Sequence, residues 1–256
     1  MKIICISDTH NQHENLIIPH GDMLIHAGDI TSTGKREELI KFNDWLGLLP
    51  HQYKIVIAGN HDFYCEIYPQ ETKQILSNAV YLNDTGITIE GLNIWGSPIS
   101  PTFQDYAFMR NRGENIRKHW ELIPSNTDIL ITHCPPFEIL DKTNSGKNEG
   151  CEDLLEIIQT RIKPQLHVFG HIHEAYGQTQ IADTQYINAS VVGLNRYIDN
   201  SKFLKWTWKM AILVFGTIKS TRKNIFKTPV DNLTPKSLAG LSWRVVNSSI
   251  LYHFEK

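Results

Sequence analysis

The sequence predicts an α/β fold with mixed sheets over its first 190 residues. Apolar runs of four or five residues, rich in Ile and Val, alternate with segments in which apolar residues recur at helical spacing. Two later pairs of strand-like runs predict hairpins, so we expect antiparallel as well as parallel strands. With 41% hydrophobic and 20% charged residues, the chain has the composition of a globular protein that buries a sizeable core.

The individual elements follow in order from local patterns. The helix at 151–162 has its apolar residues on one side and is followed by Pro164, which is a helix stop signal. The hairpin at 87–95 turns around Glu90-Gly91. The predicted strands lie at 3–7, 23–26, 55–58, 87–89, 92–95, 129–132, 166–169, 176–181 and 185–189, and the predicted helices at 35–48, 71–76, 114–122 and 151–162.

The cysteines and the first residues indicate where the protein resides. Cys5, Cys65, Cys134 and Cys151 are far apart and form no CxxC pair, so we expect no disulfide framework and a reducing, cytoplasmic location. The apolar run at 3–6 is too short for a signal peptide. No stretch approaches the ~18 apolar residues of a transmembrane segment, so none is expected.

Polar side chains follow five of the predicted strands, each at the point where the strand ends. In α/β sheets, sites form outside the carboxyl ends of the strands, so we expect these side chains to converge. Carboxylate oxygen and imidazole nitrogen suit Mn, Fe, Zn or Ni, and a pair of such metals needs about seven ligands, one of them shared. The seven candidate ligands are Asp8, His10, Asp29, Asn60, His133, His171 and His173.

The order and spacing of these residues resemble a known family. The pattern Asp8-x-His10, Gly28-Asp29, Gly59-Asn60-His61-Asp62, His133 and Gly170-His171-x-His173 resembles the calcineurin-like metallophosphoesterase superfamily over roughly residues 1–195. The stretches KFNDWLGLLP, YKIVIAGNHD, HVFGHIHEAYG and YINAS are similar to the brain-type metallophosphoesterase-domain-containing proteins, whose members hydrolyse cyclic nucleotides and other phosphodiesters. The resemblance implies a two-sheet mixed β-sandwich flanked by helices, with residues 1–197 as the catalytic domain.

The resemblance also divides the ligands between two divalent metal ions, with Mn as the first expectation and Fe, Zn or Ni as alternatives. It assigns Asp8, His10, Asp29 and His173 to one ion, and Asp29, Asn60, His133 and His171 to the other. A carboxylate can bridge two cations, so Asp29 is the natural shared ligand. We expect a hydroxide that bridges the metals to attack phosphorus.

Several residues around this pattern have a predicted role. His61 is expected to be catalytic, donating a hydrogen bond or proton to the leaving oxygen or a phosphoryl oxygen. Asp62 would either orient His61 or cap a following helix, and both roles stay open. Arg112 is a tentative substrate-binding residue. For three further residues a structural role is favoured over one in the site, namely His26, Trp95 and Phe103.

The last fifth of the chain differs in composition. Residues 201–256 carry ten Lys and Arg against two Asp and Glu, a net charge of +8, whereas residues 1–200 carry −10. We interpret 198–256 as a divergent, partly disordered basic extension, in which 210–215 is a candidate strand. Contact of the basic segment with an anionic membrane surface stays open, and no nucleic-acid partner is expected.

The favoured function is a dimetal phosphodiesterase acting on small phosphodiesters such as cyclic nucleotides. A phosphomonoesterase or nucleotidase is an alternative with the same chemistry, and a nucleotide-binding scaffold with weak catalysis is an alternative of another class. The sequence Gly28-Asp29-Ile30-Thr31-Ser32 lacks the further aspartate that the protein-phosphatase branch carries, which argues against that branch.

Overall fold

The structure is a computed structural model that describes residues 1–194, 243–245 and 247–253. The chain divides into two units, and the first of them, Met1–Gly193 with Arg244–Lys256, is compact. The first unit contains all the predicted site residues. Among the described residues, no helix has the length and apolar character needed to cross a lipid bilayer.

Every strand and helix predicted within residues 1–190 is present, and further short elements join them. The strands are β1 (Lys2–Ile6), β2 (Met23–Ala27), β3 (Tyr53–Ile57), β4 (Val80–Tyr81), β5 (Thr85–Ile89), β6 (Leu92–Ser97), β7 (Ser100–Pro101), β8 (Met109–Arg110), β9 (Ile129–Thr132), β10 (Leu166–Phe169), β11 (Gly177–Ile181), β12 (Thr184–Asn188), β13 (Val192–Leu194), β14 (Trp243–Val245) and β15 (Ile250–His253). The helices are α1 (Arg36–Leu48), α2 (Phe63–Ile67), α3 (Pro69–Ile75), α4 (Glu114–Trp120) and α5 (Glu152–Ile157), with a π-helical turn at Ile158–Ile162 and 3₁₀ turns at His13–Asn15 and His173–Ala175.

Two mixed sheets form the first unit, which confirms the predicted fold class. The first sheet has the order β15-β1-β2-β3-β4 and the second the order β11-β12-β10-β9-β6-β5. Strands β1 to β4 pair in parallel, and β15 pairs antiparallel with β1. In the second sheet, β12, β10, β9 and β6 pair in parallel, while β11 and β5 add antiparallel edges.

A single apolar core joins the inner faces of the two sheets. Ile3, Cys5 and Ile25 from the first sheet share one cluster of buried side chains with Ile131 and Val168 from the second. The alternate residues of β1 are also fully buried, on the opposite face of the sheet. Strands buried on both faces are continuously apolar, which explains why the sequence shows short Ile- and Val-rich runs rather than alternation.

The parallel arrangement brings the carboxyl ends of several strands to one edge. The amide of Asp8, after β1, donates to the carbonyl of Gly28, after β2, at 2.8 Å. The amide of Gly170, after β10, donates to the carbonyl of His133, after β9, at 3.0 Å. Ser7 forms an isolated parallel bridge with Ser190, so the loops of the two sheets meet at this edge.

The described C-terminal residues supply the outer strand of the first sheet. In β15, Ile250 lies opposite Cys5 and Leu251 lies opposite Ile4. Ile250 is 8% exposed and belongs to the core cluster, whereas the next side chain, Leu251, is 41% exposed. The sequence candidate for a C-terminal strand, 210–215, lies outside the described residues.

Truncating Ile250 is therefore expected to weaken the fold, and truncating Leu251 is not. Ile250→Ala removes buried methyl groups from the core and should lower the free energy of unfolding by about 2–3 kcal/mol. Leu251→Ala, one residue along the same strand, should change it by less than about 1 kcal/mol. Urea denaturation of both variants measures the difference, and equal losses would show that β15 is not packed in this register.

Candidate metal centre

The loops that carry the site have an unusual backbone conformation. Asp8, His10, Asp29 and His171 have φ values of 55°, 40°, 53° and 69°, in the left-handed region that residues with a side chain seldom adopt. Such strain persists only where the surroundings fix it. Here the amide of His10 donates to the carbonyl of Asp29 at 3.1 Å, and the amide of His171 donates to both carboxylate oxygens of Asp8 at 3.0 and 3.1 Å.

Asp8, His10, Asp29 and His173 lie together in one half of the site. The Nε2 atom of His173 is 3.1 Å from Oδ1 of Asp8 and 3.5 Å from Nε2 of His10. The same His10 atom is 3.6 Å from Oδ2 of Asp29. Asp8, His10 and His173 each offer one ligand atom within 4.8 Å of the others, so they form a candidate metal group.

The other half of the site gathers around Asn60. Its Oδ1 atom is 2.8 Å from Nε2 of His133 and 2.8 Å from Nδ1 of His171. His133 Nε2 is also 3.4 Å from Oδ1 of Asp29. One carboxylate oxygen of Asp29 thus faces His10 and the other faces His133, so Asp29 occupies the position between the two halves.

The residues present fit a pair of divalent cations. Two buried carboxylates, four imidazoles and one amide oxygen converge, which is the donor set preferred by first-row metals without thiolate ligands. His133 Nδ1 lies 3.0 Å from the carbonyl of Ala27 and His10 Nδ1 lies 3.3 Å from that of Thr31, which leaves Nε2 of both rings on the site side.

Two glycines make room for the carboxylates. A Cβ atom on Gly170 would collide with Oδ2 of Asp8, and one on Gly59 would collide with Oδ1 of Asp29. Any side chain at either position would therefore displace a carboxylate of the site. The close approach of backbone to both carboxylates explains why glycine stands at these two strand ends.

The electrostatics favour the ligand-competent forms of most of these groups. Burial lowers the pKa of His10 to about 3, and burial together with the charge of His133 lowers the pKa of His171 to about 4. Burial alone would raise the pKa values of Asp8 and Asp29, but the neighbouring imidazoles outweigh it and lower both. These residues are thus neutral imidazoles and ionised carboxylates at neutral pH.

The pKa values of His133 and His173 are raised, unlike those of His10 and His171, because a neighbouring carboxylate outweighs burial. Burial opposes protonation of His133, but Asp29 and Asp8 outweigh it and raise its pKa to about 9. The pKa of His173 is raised in the same way, with Asp8 outweighing burial. With a pKa of about 9, His133 is protonated at neutral pH in the metal-free protein, and binding of a cation would displace its proton.

His61 lies at the rim of this cluster. Its amide donates to Oδ1 of Asp29 at 2.8 Å, and its ring centroid is 4.7 Å from that of His10 in an edge-to-face contact. Its Nδ1 atom is 3.3 Å from the carbonyl of Ser32. The ring is half-buried, whereas the carboxylates behind it are fully buried.

The helix-capping role considered for Asp62 is wrong. Its carboxylate makes no cap hydrogen bond to α2. It accepts instead from the amides of Ile30, Thr31 and Gly59 at 3.1, 2.8 and 2.8 Å, and from the Thr31 hydroxyl at 2.7 Å. The Thr31 hydroxyl also lies 3.2 Å from the carbonyl of His61. Asp62 therefore clamps the loops after β2 and β3 together. It reaches the main chain of His61 through the Thr31 hydroxyl.

The structural role predicted for His26 is confirmed. The amide of Gly28 donates to Nδ1 of His26 at 3.3 Å, so Nε2 carries the proton and lies 2.9 Å from the hydroxyl of Thr9. Burial lowers the pKa of His26 to about 3, which keeps the ring neutral. One buried imidazole thus links the loop that carries Asp8 to the loop that carries Asp29.

Three other predicted residues lie apart from the cluster. The guanidinium of Arg112 donates to the carbonyls of Gly150 and Glu149 at 2.9 and 3.3 Å, so its substrate role stays a prediction. Trp95 is half-buried in β6. The core packing expected for Phe103 is wrong, because 70% of its side chain is exposed in the loop between β7 and β8.

Sequence reasoning missed Ser190 as a member of the site. Its hydroxyl donates to Oδ2 of Asp8 at 2.9 Å, and its amide and hydroxyl both lie near Oδ1 of Asn188, at 3.2 and 2.9 Å. A signal was present, because Ser190 follows β12 just as the predicted ligands follow their strands.

Comparison with known proteins confirms the resemblance seen in the sequence. The family model for calcineurin-like phosphoesterases matches residues 1–175. Metallophosphoesterase domain-containing protein 1 of Homo sapiens is 43% identical over 218 residues, covering 76% of this chain and 67% of the relative. A UPF0046 protein of Caenorhabditis elegans is 42% identical over 204 residues, covering 74% of this chain and 69% of the relative. A crystal structure of a Thermus thermophilus protein shares the fold, with a TM-score of 0.51 at 13% identity, covering 75% of this chain and 92% of that one.

Replacing the Asp62 carboxylate should loosen the loops after β2 and β3, which this side chain holds together. Burial and the charge of Asp29 raise the pKa of Asp62 to about 6, so at pH 8 the carboxylate is ionised. In Asp62→Asn, an NH₂ group takes the place of one carboxylate oxygen and faces the groups that donated to that oxygen. Two donors then face each other, so the free energy of unfolding of the metal-free protein should fall by about 2–3 kcal/mol. Asp44→Asn, which removes the same charge from an exposed position on α1, should change it by less than about 0.5 kcal/mol. Denaturation at pH 8 in the presence of a chelator measures the free energy of unfolding of both variants. Equal changes in the two variants would rule out the clamp.

Proposed function

This chain belongs to the calcineurin-like phosphoesterase family, and on that basis we propose that it is a phosphodiesterase that hydrolyses small phosphodiesters such as cyclic nucleotides. Members of this family are metal-dependent phosphoric ester hydrolases. The observation that carries the proposal is the convergence of seven mostly buried ligand donors from five strand ends, with His61 at their rim.

In this proposal two divalent ions, Mn first among Mn, Fe, Zn and Ni, are held by the two halves of the site. Asp8, His10 and His173 would hold one ion, Asn60, His133 and His171 would hold the other, and Asp29 would be shared. When bound, such a pair activates water for attack and neutralises charge on the phosphoryl oxygens. The arrangement of Asp29, with one oxygen toward His10 and the other toward His133, supports its shared role.

The side chains of the site contribute positioning and proton transfer. The carbonyls of Ala27 and Thr31 orient His133 and His10, and the amide of His171 orients Asp8. Burial keeps water away from these groups and strengthens their electrostatic interactions. His61 is the proposed donor of a hydrogen bond or proton to the leaving oxygen or a phosphoryl oxygen, because it is held beside Asp29 and remains half-exposed.

The charges around the site support a diester substrate over a monoester. Among the described residues, the side chains that pair with Asp8 and Asp29 as ions are histidines. The guanidinium of Arg112 donates to main-chain carbonyls rather than to a residue of the cluster. A diester carries one negative charge and needs less cationic compensation than a monoester dianion.

The proposal extends to the organisation and location of the chain. We propose that residues 1–197 form the catalytic domain and that 198–256 is an extension to it that contributes one strand, as the pairing of β15 with β1 supports. The four cysteines are buried and free, which supports a reducing, cytoplasmic location. The possible membrane contact of the basic extension lies outside the described residues.

Metal-dependent turnover of three substrates tests the proposed activity. With added Mn²⁺, the protein should hydrolyse bis(p-nitrophenyl) phosphate and cyclic nucleotides faster than p-nitrophenyl phosphate. Asp29→Asn and His171→Gly should each lower kcat/KM for the diesters by at least about a hundredfold, because each removes a ligand. His20→Gly, at an exposed position away from the site, is the matched control.

The outcomes separate the three functions considered. Turnover of the monoester without the diesters would replace the proposal with a phosphomonoesterase or nucleotidase. A folded protein without turnover of any of these substrates at any Mn²⁺ concentration would replace it with a nucleotide-binding scaffold.

A further inference from the structure

A short loop between β7 and β8 reaches the rim of the metal centre and is held at both ends. The amide of Ser100 donates to the carbonyl of Phe108 at 3.1 Å, and the amide of Thr102 donates to the carbonyl of Arg110 at 2.9 Å. The carboxylate of Glu66 accepts from the amide of Phe108 at 2.9 Å and from the guanidinium of Arg110 at 3.1 Å. The loop thus has a defined position beside α2.

This loop contacts the two residues that the proposed function places at the reacting group. The amide of Ala107 donates to the carbonyl of Asn60 at 3.1 Å. The ring centroid of Tyr106 lies 5.1 Å from that of His61 with an interplanar angle of 38°. The ring centroid of Tyr106 also lies 6.2 Å from that of Phe63, with an interplanar angle of 36°. We call Tyr106 and Phe63 the aromatic wall.

The aromatic wall is not part of the core. Both side chains are half-buried, and neither belongs to the cluster of apolar residues between the sheets. The rings are inclined to one another by less than 40°, so a planar group can stack beside them in an offset arrangement. An aromatic surface left part-exposed next to a polar centre is typical of a binding site rather than of packing.

We infer that the aromatic wall binds a planar ring, a nucleobase or aryl group, on the ester substituent of the substrate. The inference rests on the proposed function for placing the phosphoryl group at the metal centre. A substituent on an ester oxygen next to His61 comes within reach of Tyr106, since the ring centroids of the two residues are 5.1 Å apart. Tyr106 is therefore a specificity-determining residue: it adds affinity for substrates with a ring and none for those without.

Two ligands that differ only in the ring provide the test. Adenosine 5′-monophosphate and ribose 5-phosphate share the phosphate and the sugar, and isothermal titration calorimetry of the Mn²⁺-loaded protein gives the Kd of each without any need for turnover. The wild-type protein should bind the nucleotide more tightly. Tyr106→Ala should weaken nucleotide binding by about 5- to 100-fold, the range for loss of one base stacked on an aromatic ring, and change ribose 5-phosphate binding less than twofold.

Two further variants separate recognition from folding. Tyr106→Phe keeps the ring and should keep the ratio of the two Kd values. Tyr53→Ala removes another half-buried tyrosine, at the start of β3 and so at the opposite end of the strand from the site, and should also keep the ratio. A ratio of the two Kd values near one in the wild-type protein, or an equal loss of affinity for both ligands in Tyr106→Ala, would overturn the inference.

The failure of the proposed function is visible separately in the same samples. Absence of bis(p-nitrophenyl) phosphate turnover with the Kd ratio intact would overturn the phosphodiesterase activity, whether the nucleotide releases phosphate or does not. That result would leave the aromatic wall as the ring-binding surface.

Discussion

Two ionised carboxylates, Asp8 and Asp29, are buried at the edge where the two sheets meet, and the rest of the site depends on keeping them there. A buried charge is costly unless it is paired and hydrogen-bonded. Asp8 is compensated by His173, the Ser190 hydroxyl and the amide of His171, and Asp29 by His133 and the amide of His61. Two divalent cations would supply the remaining positive charge and give the imidazoles a common function as ligands.

The need to hold these two carboxylates in place also explains the strained loops and the side chains that clamp them. Ligand side chains converge only if the chain turns sharply after the strands. After β1, β2 and β10 it does so with non-glycine ligands in the left-handed region. His26 joins the loops after β1 and β2, and Asp62 joins the loops after β2 and β3. Neither side chain is a proposed ligand, yet both hold ligands in place, as supporting residues of metal sites do.

The strands and the candidate ligands could be predicted from the sequence because both depend on local patterns. Doubly buried strands are continuous apolar runs, and a polar residue just after such a run stands out, as Asn60 and His133 do. Ser190 also follows a strand, but its bond to Asp8, the position of Tyr106 and the pairing of β15 could not be predicted in this way. The bond from Ser190 to Asp8 spans 182 residues, and the position of Tyr106 is set by a loop anchored on Glu66. Such contacts exist only after the sheets have assembled.

The number of metal ions bound per chain tests the central claim most directly. Equilibrium dialysis against Mn²⁺ followed by elemental analysis should give two ions per folded chain. His173→Ala should lose one ion and keep the other, because its only proposed partners lie in one half of the site, whereas Asp29→Ala should weaken both. A wild-type value of one or zero, or two ions that remain in Asp29→Ala, would contradict the account.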